Sequence, residues 1–201
     1  MLHTSILNTE IDLNRFSKVY AGRSGGMPVD ADFLLQGTVR IFYDDQQPDR
    51  WLAGYCVNDQ APYRYLAVHT PTAQAALLAQ HQISPDDIVE IGAIWMDVSG
   101  LGRAGRWQVY QFMLADAYAT GKGIVLGGTV YARIRDFQMQ VVKHPLFDGT
   151  VLLGGKQQRV WLYFARREEL WFDFFRFTTR EFSQPMTGPF INTAHSLNQV
   201  A

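Results

Sequence analysis

One stretch of this sequence constrains the fold more than any other: an apolar run, a glycine-rich loop and then a helical pattern. Residues 88–97 read IVEIGAIWMD, which predicts a strand buried on both faces, since a half-exposed strand would alternate apolar with polar residues. The loop over 99–106 contains three glycines, and apolar residues recur at helical spacing over 107–120. A buried strand that feeds a helix through a tight loop is typical of an α/β sheet, with this strand at its centre.

The rest of the sequence adds strands and helices around this unit. The predicted elements are a hairpin (39–43 and 51–57), a helix (70–80), a short strand (124–126), a helix (131–143) and a second hairpin (149–153 and 159–165). Residues 1–37 mix short apolar pieces with turn residues and give no clear element. This order predicts a mixed, mainly antiparallel twisted sheet flanked by helices.

Composition limits the class of protein. With 201 residues, 47% hydrophobic and 18% charged, the chain predicts one globular domain over 1–182, followed by a mobile polar tail over 183–201. A net charge of −1 argues against a broad nucleic-acid-binding surface, and no apolar run is long enough to cross a membrane. The N-terminus lacks a secretory-signal pattern. The single cysteine, Cys56, cannot form an internal disulfide, which fits a cytoplasmic location.

The loop allows three interpretations. Residues 100–105 fit the dinucleotide pattern G-x-G-x-x-G, but the next strand ends without the expected acidic residue and too little sequence follows for a second half-domain. Alternatively, backbone N–H groups at the start of the following helix bind a pyrophosphate, because the helix dipole favours an anion there. Arg103 and Arg106 would add positive charge. The third interpretation is a plain turn with two solvated arginines.

The segment 90–114 resembles the acyl-CoA-binding core of the GNAT (Gcn5-related) N-acyltransferases. Their signature, Gln/Arg-x-x-Gly-x-Gly/Ala, is matched by residues 99–104 except that Ser99 replaces Gln or Arg, and the element order agrees over 39–165. The resemblance implies acyl-CoA or acetyl-CoA as co-substrate and no metal. It implies that the edge of the central strand binds the pantetheine arm and the loop binds the pyrophosphate. The implied binding residues are Trp95, Met96, Gly100, Gly102, Arg103, Ala104, Gly105 and Arg106.

Glu90 is the candidate catalytic residue. It lies in the apolar central strand, where burial would raise the pKa of its carboxyl group, as a general base requires. The resemblance implies the same role, because GNAT enzymes commonly place such a glutamate on this strand to take a proton from an amine. The alternative is a solvent-facing glutamate at the start of the strand.

The predicted function is transfer of an acyl group to an amine of a small molecule or peptide. GNAT enzymes often place a tyrosine general acid near the end of the helix here predicted over 131–143, but no tyrosine lies there. The alternative is therefore a non-catalytic protein of the same fold that binds a thioester or nucleotide as a sensor or scaffold. Residues 90–92 also faintly resemble acyl-homoserine-lactone and N-acyl-amino-acid synthases, which implies acyl carrier protein as a possible donor.

The remaining motifs carry less chemistry. Residues 22–26 fit the G-x-S-x-G nucleophile pattern, but no strand and no helix flank them as that motif requires. The five histidines lack metal-ligand spacing. Residues 170–177 are strongly aromatic, which predicts an element that packs on the sheet and also forms a homodimer contact, with Asp173 and Arg176 at the rim of that contact.

Overall fold

The computed structural model describes residues 1–24, 28–153 and 155–183, and the side chains up to residue 180. Seven strands form one mixed open sheet in the order β1-β2-β3-β4-β5-β7-β6. The strands are β1 (Leu2–Leu7), β2 (Thr38–Asp44), β3 (Gln47–Asn58), β4 (Ile88–Met96), β5 (Ile124–Thr129), β6 (His144–Leu153) and β7 (Lys156–Arg166). The helices are α1 (Glu10–Arg23), α2 (Ala31–Leu35), α3 (Pro71–Gln80), α4 (Arg103–Ala119), α5 (Ala132–Gln138) and α6 (Arg167–Ser183).

The chain divides into two compact units, and β4 is shared between them. The first unit contains Met1–Asn58 and Ile91–Asp116, and the second contains Asp59–Glu90 and, among the described residues, 117–183. The prediction of a single acyltransferase-like domain over residues 1–182 stays a prediction. The tail predicted over 183–201 lies outside the described residues, apart from the backbone of Ser183.

In the first unit, β1, β2 and β3 pair antiparallel, and a hydrophobic cluster centred on Phe16 and Trp95 covers one face. A partly buried ionic network adds to this packing. The guanidinium of Arg40 on β2 donates to both carboxylate oxygens of Asp116 on α4, at 2.7 and 2.8 Å. The hydroxyl of Tyr55 on β3 donates to the same carboxylate at 2.6 Å. Removal of one partner would therefore leave the others without that partner in a partly buried site.

In the second unit, β4 pairs parallel with β5 over Ile88–Glu90 only, and β5 and β6 both pair antiparallel with β7. The face of this part of the sheet that carries Ile88, Ile124 and Leu126 is covered by an apolar cluster. Because side chains alternate along a strand, Glu90 lies on the same face as Ile88.

Three sequence expectations need correction. Residues 1–37, predicted to lack clear elements, contain β1, α1 and α2. The helix predicted over 131–143 ends at Gln138. The chain turns there and enters β6 at His144, where a bulge beside Pro145 accommodates a residue that lacks an N–H donor. The loop predicted over 99–106 is shorter, because α4 begins at Arg103.

Candidate functional site

The loop that follows β4 is organised by a carboxylate that sequence reasoning missed. Oδ1 of Asp97 accepts hydrogen bonds from Ser99 Oγ at 2.6 Å and from the N–H groups of Ser99 and Gly100 at 3.2 Å. The N–H of Leu101 donates to the carbonyl of Asp97 at 2.9 Å. The amides at the start of the loop are thus used within the protein. An anion would therefore have to bind further along, from Gly102 onward.

Gly102 marks the start of α4. Its carbonyl accepts the N–H of Arg106 at 3.1 Å, and the N–H groups of the first turn of any α-helix have no partner within the helix. A Cβ atom on Gly102 would meet nothing within 4 Å, whereas one on Gly100 would lie 2.7 Å from a methyl group of Leu52. Gly100 is thus required by protein packing, and Gly102 leaves the helix end open to an approaching group.

Positive charge surrounds the loop. The second oxygen of Asp97, Oδ2, accepts from the guanidinium of Arg50 at 3.1 Å and lies 3.9 Å from that of Arg23. Burial raises the pKa of Asp97, but the hydrogen bonds from Ser99 and Arg50 outweigh this effect and hold the pKa below its usual value. Asp97 is therefore ionised at neutral pH. With Arg103 and Arg106 in the first turn of α4, the loop carries more positive than negative charge.

The two predicted binding residues of β4, Trp95 and Met96, differ in the direction of their backbone N–H groups. Trp95 is buried and its ring packs on Phe16, 6.4 Å between centroids, so its side chain belongs to the core. The N–H of Asp97 donates to the carbonyl of Leu52 on β3. Because N–H groups alternate along a strand, that of Trp95 also points towards β3 and that of Met96 points away from it.

Glu90 lies in the second unit and is almost fully buried, 1% exposed. Its Oε2 accepts the N–H of Tyr65 at 2.9 Å, while its Oε1 has no hydrogen-bond partner among the described residues. Burial raises the pKa of Glu90 to about 7, against the opposing effects of the Tyr65 N–H and of Arg64. The carboxyl group is thus divided between its acid and base forms near neutral pH.

Residues 63–65, the segment whose Tyr65 N–H binds Glu90, are fixed at two points. The hydroxyl of Tyr63 lies 3.0 Å from the carbonyl of Ile88. The ring of Tyr65 occupies the space beside Gly128 of β5, where a Cβ would lie 2.9 Å from it. This segment excludes water from Glu90, which is the physical cause of its raised pKa.

One residue of β4, three positions beyond Glu90, has a left-handed backbone. Ala93 has a φ of 51°, which is costly for a residue that carries a Cβ. Such strain tends to persist at functional sites.

The aromatic segment forms part of α6. Leu170 and Phe174 are buried in the second unit, whereas Phe172 and Phe175 are 64% and 70% exposed and Trp171 is partly exposed. Asp173, expected at the rim of a dimer contact, is instead buried and paired with Lys143; that expectation was wrong. Arg176 is exposed and lies over the ring of Phe172.

The described residues contain neither a metal-binding cluster nor a membrane-spanning helix. No group of three or more His, Cys, Asp or Glu side chains is placed there to hold a metal ion. None of the helices in that part of the chain is long and apolar enough to span a membrane.

Comparison with known proteins gives structural matches only. No protein-family model matches this sequence, and no curated protein matches it. The structure is similar to FeeM, an N-acyl amino acid synthase from uncultured soil microbes, with a TM-score of 0.63, 13% identity and coverage of 85% of this chain and 94% of that one.

Two further solved structures are similar. The acyl-homoserine-lactone synthase LasI has a TM-score of 0.54, 12% identity and coverage of 86% and 94%. The protein yncA of Salmonella typhimurium, solved with its cofactor acetyl-CoA, has a TM-score of 0.53, 9% identity and coverage of 84% and 95%. At these identities the likeness shows the fold, which is that of the GNAT N-acyltransferases. The predicted fold is confirmed.

Proposed function

We propose that this chain transfers an acyl group from a thioester donor to an amine. One observation carries the proposal: the strand that leads into the glycine loop holds a buried carboxyl group whose pKa is about 7 and whose second oxygen has no partner in the described structure. A general base works best when its pKa lies near the working pH. In the proposed reaction, Glu90 takes a proton from the acceptor amine.

The loop suits a phosphate-bearing donor such as acyl-CoA or acetyl-CoA. The open space at Gly102 admits a diphosphate to the N-terminal turn of α4, where the N–H groups of Ala104 and Gly105 and the helix dipole favour an anion. Arg103 and Arg106 contribute charge. The backbone part of the predicted cradle over residues 100–106 narrows to 102–105, since the Gly100 amide donates to Asp97 and the Arg106 amide donates to the Gly102 carbonyl.

Met96 is the better of the two predicted candidates for contact with the thioester carbonyl. By the alternation of N–H groups along the strand, its N–H points away from β3, whereas that of Trp95 points towards β3. A backbone N–H aimed at a carbonyl oxygen stabilises the negative charge that develops there during attack.

The reaction needs no covalent enzyme intermediate. The amine nitrogen forms the new C–N bond and gives a proton to Glu90, while the C–S bond breaks and the sulfur leaves with the electron pair. Alignment of amine and thioester supplies much of the rate.

The test measures thiol release together with the mass of the product. Acetyl-CoA, a long-chain acyl-CoA and an acylated carrier protein are each offered with a panel of amino acids, alkylamines and peptides. Similarity to an N-acyl amino acid synthase and to an acyl-homoserine-lactone synthase makes long acyl chains, carrier-protein donors and amino-acid acceptors the first to try. A cytoplasmic location would supply these donors.

The alternative is a protein that binds a thioester without turning it over. Two observations favour it: Ser99 replaces the signature glutamine or arginine, and no tyrosine lies within α5. Thermal stabilisation by coenzyme A without product formation on the whole panel would support the binder. Product formation that is lost on replacement of Glu90 would support the enzyme.

A further inference from the structure

Ser99 stands where the acyltransferase signature has glutamine or arginine, and its side chain faces the protein. Ser99 Oγ donates to Oδ1 of Asp97 at 2.6 Å. The position that would provide a long polar side chain therefore holds the loop in shape instead. If the donor's phosphates bind here, their charge needs a partner from elsewhere in the fold.

Two arginines converge on the same carboxylate from other elements of the first unit. Arg50 comes from β3 and Arg23 is the last residue of α1. Their side chains are 56% and 42% exposed, whereas that of Asp97 is only 10% exposed. Two guanidinium groups share one carboxylate, so a net positive charge remains. An arginine has five N–H donors, so Arg50 can keep its bond to Asp97 and still bind a second anion.

The carboxylate of Asp97 also fixes the position of the Arg50 guanidinium. Oδ2 of Asp97, which accepts from Arg50 at 3.1 Å, lies 3.3 Å from the Cβ position of Gly100. The guanidinium of Arg50 is therefore held beside the loop, two residues before the open helix end at Gly102.

We propose that Arg50, assisted by Arg23, binds a phosphate group of the acyl donor in place of the side chain that Ser99 lacks, with Asp97 as the positioning residue. The inference rests on the proposed function, because it assumes a phosphate-bearing donor. It adds donor-binding residues that lie 49 and 76 positions before Ser99 and outside the signature. It also explains how a chain with an incomplete signature can retain the site.

The first experiment measures binding of coenzyme A by calorimetry to the full chain and to Arg50→Gln. Loss of a charge-assisted contact should weaken binding roughly 10-fold or more. Lys18→Gln, an exposed cation on α1, is the matched control and should bind as the unsubstituted protein does. Equal affinity of Arg50→Gln and the unsubstituted protein would overturn the inference and leave the proposed function standing. Absence of coenzyme A binding by the unsubstituted protein would overturn the inference, whereas the absence of product with every donor of the panel would overturn the proposed function.

The second experiment separates a phosphate contact from a structural role. Acetyl-CoA is compared with S-acetyl-pantetheine, which carries the same thioester and no phosphate. Arg50→Gln should raise KM for acetyl-CoA roughly 10-fold with kcat nearly unchanged, and leave KM for S-acetyl-pantetheine as it was. Addition of Ser99→Arg to Arg50→Gln, which restores the signature side chain, should recover most of the lost affinity. An equal loss with both donors would show that Arg50 only supports the fold.

Discussion

Replacement of Glu90 by glutamine tests the buried base through stability as well as through activity. Glutamine fills nearly the same volume but cannot ionise. In the folded protein the pKa of Glu90 is raised from 4.5 to about 7, so the folded state holds this proton to a higher pH than the unfolded chain does. The stability of the natural protein should therefore fall as pH rises from about 4.5 through about 7, and Glu90→Gln should lack that fall.

The magnitude follows from the shift. At 1.36 kcal/mol per pKa unit, the rise to about 7 corresponds to about 3 kcal/mol in all, of which about 2.5 kcal/mol falls between pH 5 and pH 8. Urea denaturation of both proteins at pH 5 and pH 8 measures it. The advantage of Glu90→Gln should grow by that amount between the two pH values. Glu168→Gln, which removes an exposed carboxylate of the same unit, is the matched control and should show no such growth.

The activity of Glu90→Gln completes this test. The value of kcat/KM of the natural protein should rise with pH through about 7, as the base loses its proton. Glu90→Gln should lower the rate about 10²- to 10⁴-fold and leave coenzyme A binding intact. A stability difference that is equal at pH 5 and pH 8 would refute the argument from burial. A rate within a few-fold of the natural one would remove Glu90 from the mechanism.

Three further predictions concern other parts of the chain. Gly102→Val should abolish coenzyme A binding in calorimetry without unfolding the protein, because the valine side chain has room but would block the N-terminal end of α4. Gly22→Val, also in open space, is the control. Unchanged affinity of Gly102→Val for coenzyme A would contradict the proposed phosphate site. Asp116→Ala should lower the free energy of unfolding, measured in urea, by about 3 kcal/mol, because Arg40 and Tyr55 would lose their shared hydrogen-bond acceptor. A loss below about 1 kcal/mol would show that these groups remain solvated. Trp171→Ser with Phe175→Ser should convert a dimer into a folded monomer in sedimentation, whereas a monomeric natural protein would refute the α6 contact.

The parts of the fold that the sequence predicted are those with strong local patterns. The apolar run of β4, the helical spacing of α4 and the Thr70–Pro71 start of α3 each depend on neighbouring residues. The first helix has a local signal of its own: Thr9 accepts the N–H of Asp12, and Leu13 and Phe16 follow at helical spacing. The end of α5 was misplaced because Val141 and Val142 continue its apolar pattern.

The charge around the loop could not be predicted in the same way. Asp97 reads in the sequence as the last residue of an apolar strand. Its partner Arg50 lies 47 positions away and reaches it only through the pairing of strands. The position of the loop could be predicted from the sequence, since its glycines indicate where a side chain would not fit. The guanidinium groups beside the loop could not, because tertiary contacts bring them there.

The buried carboxylate of Glu90 also bears on the choice between an acyltransferase and a protein that only binds a thioester. A protein that only held a thioester would gain nothing from an ionisable group on this strand. Glutamine at position 90 would occupy the same volume, could still accept the N–H of Tyr65, and would avoid a loss of about 3 kcal/mol at alkaline pH. An oxygen that is buried, unpaired in the described structure and basic near neutrality is costly to stability and useful for taking a proton. Glu90 therefore favours catalysis over binding, although the loop would serve either.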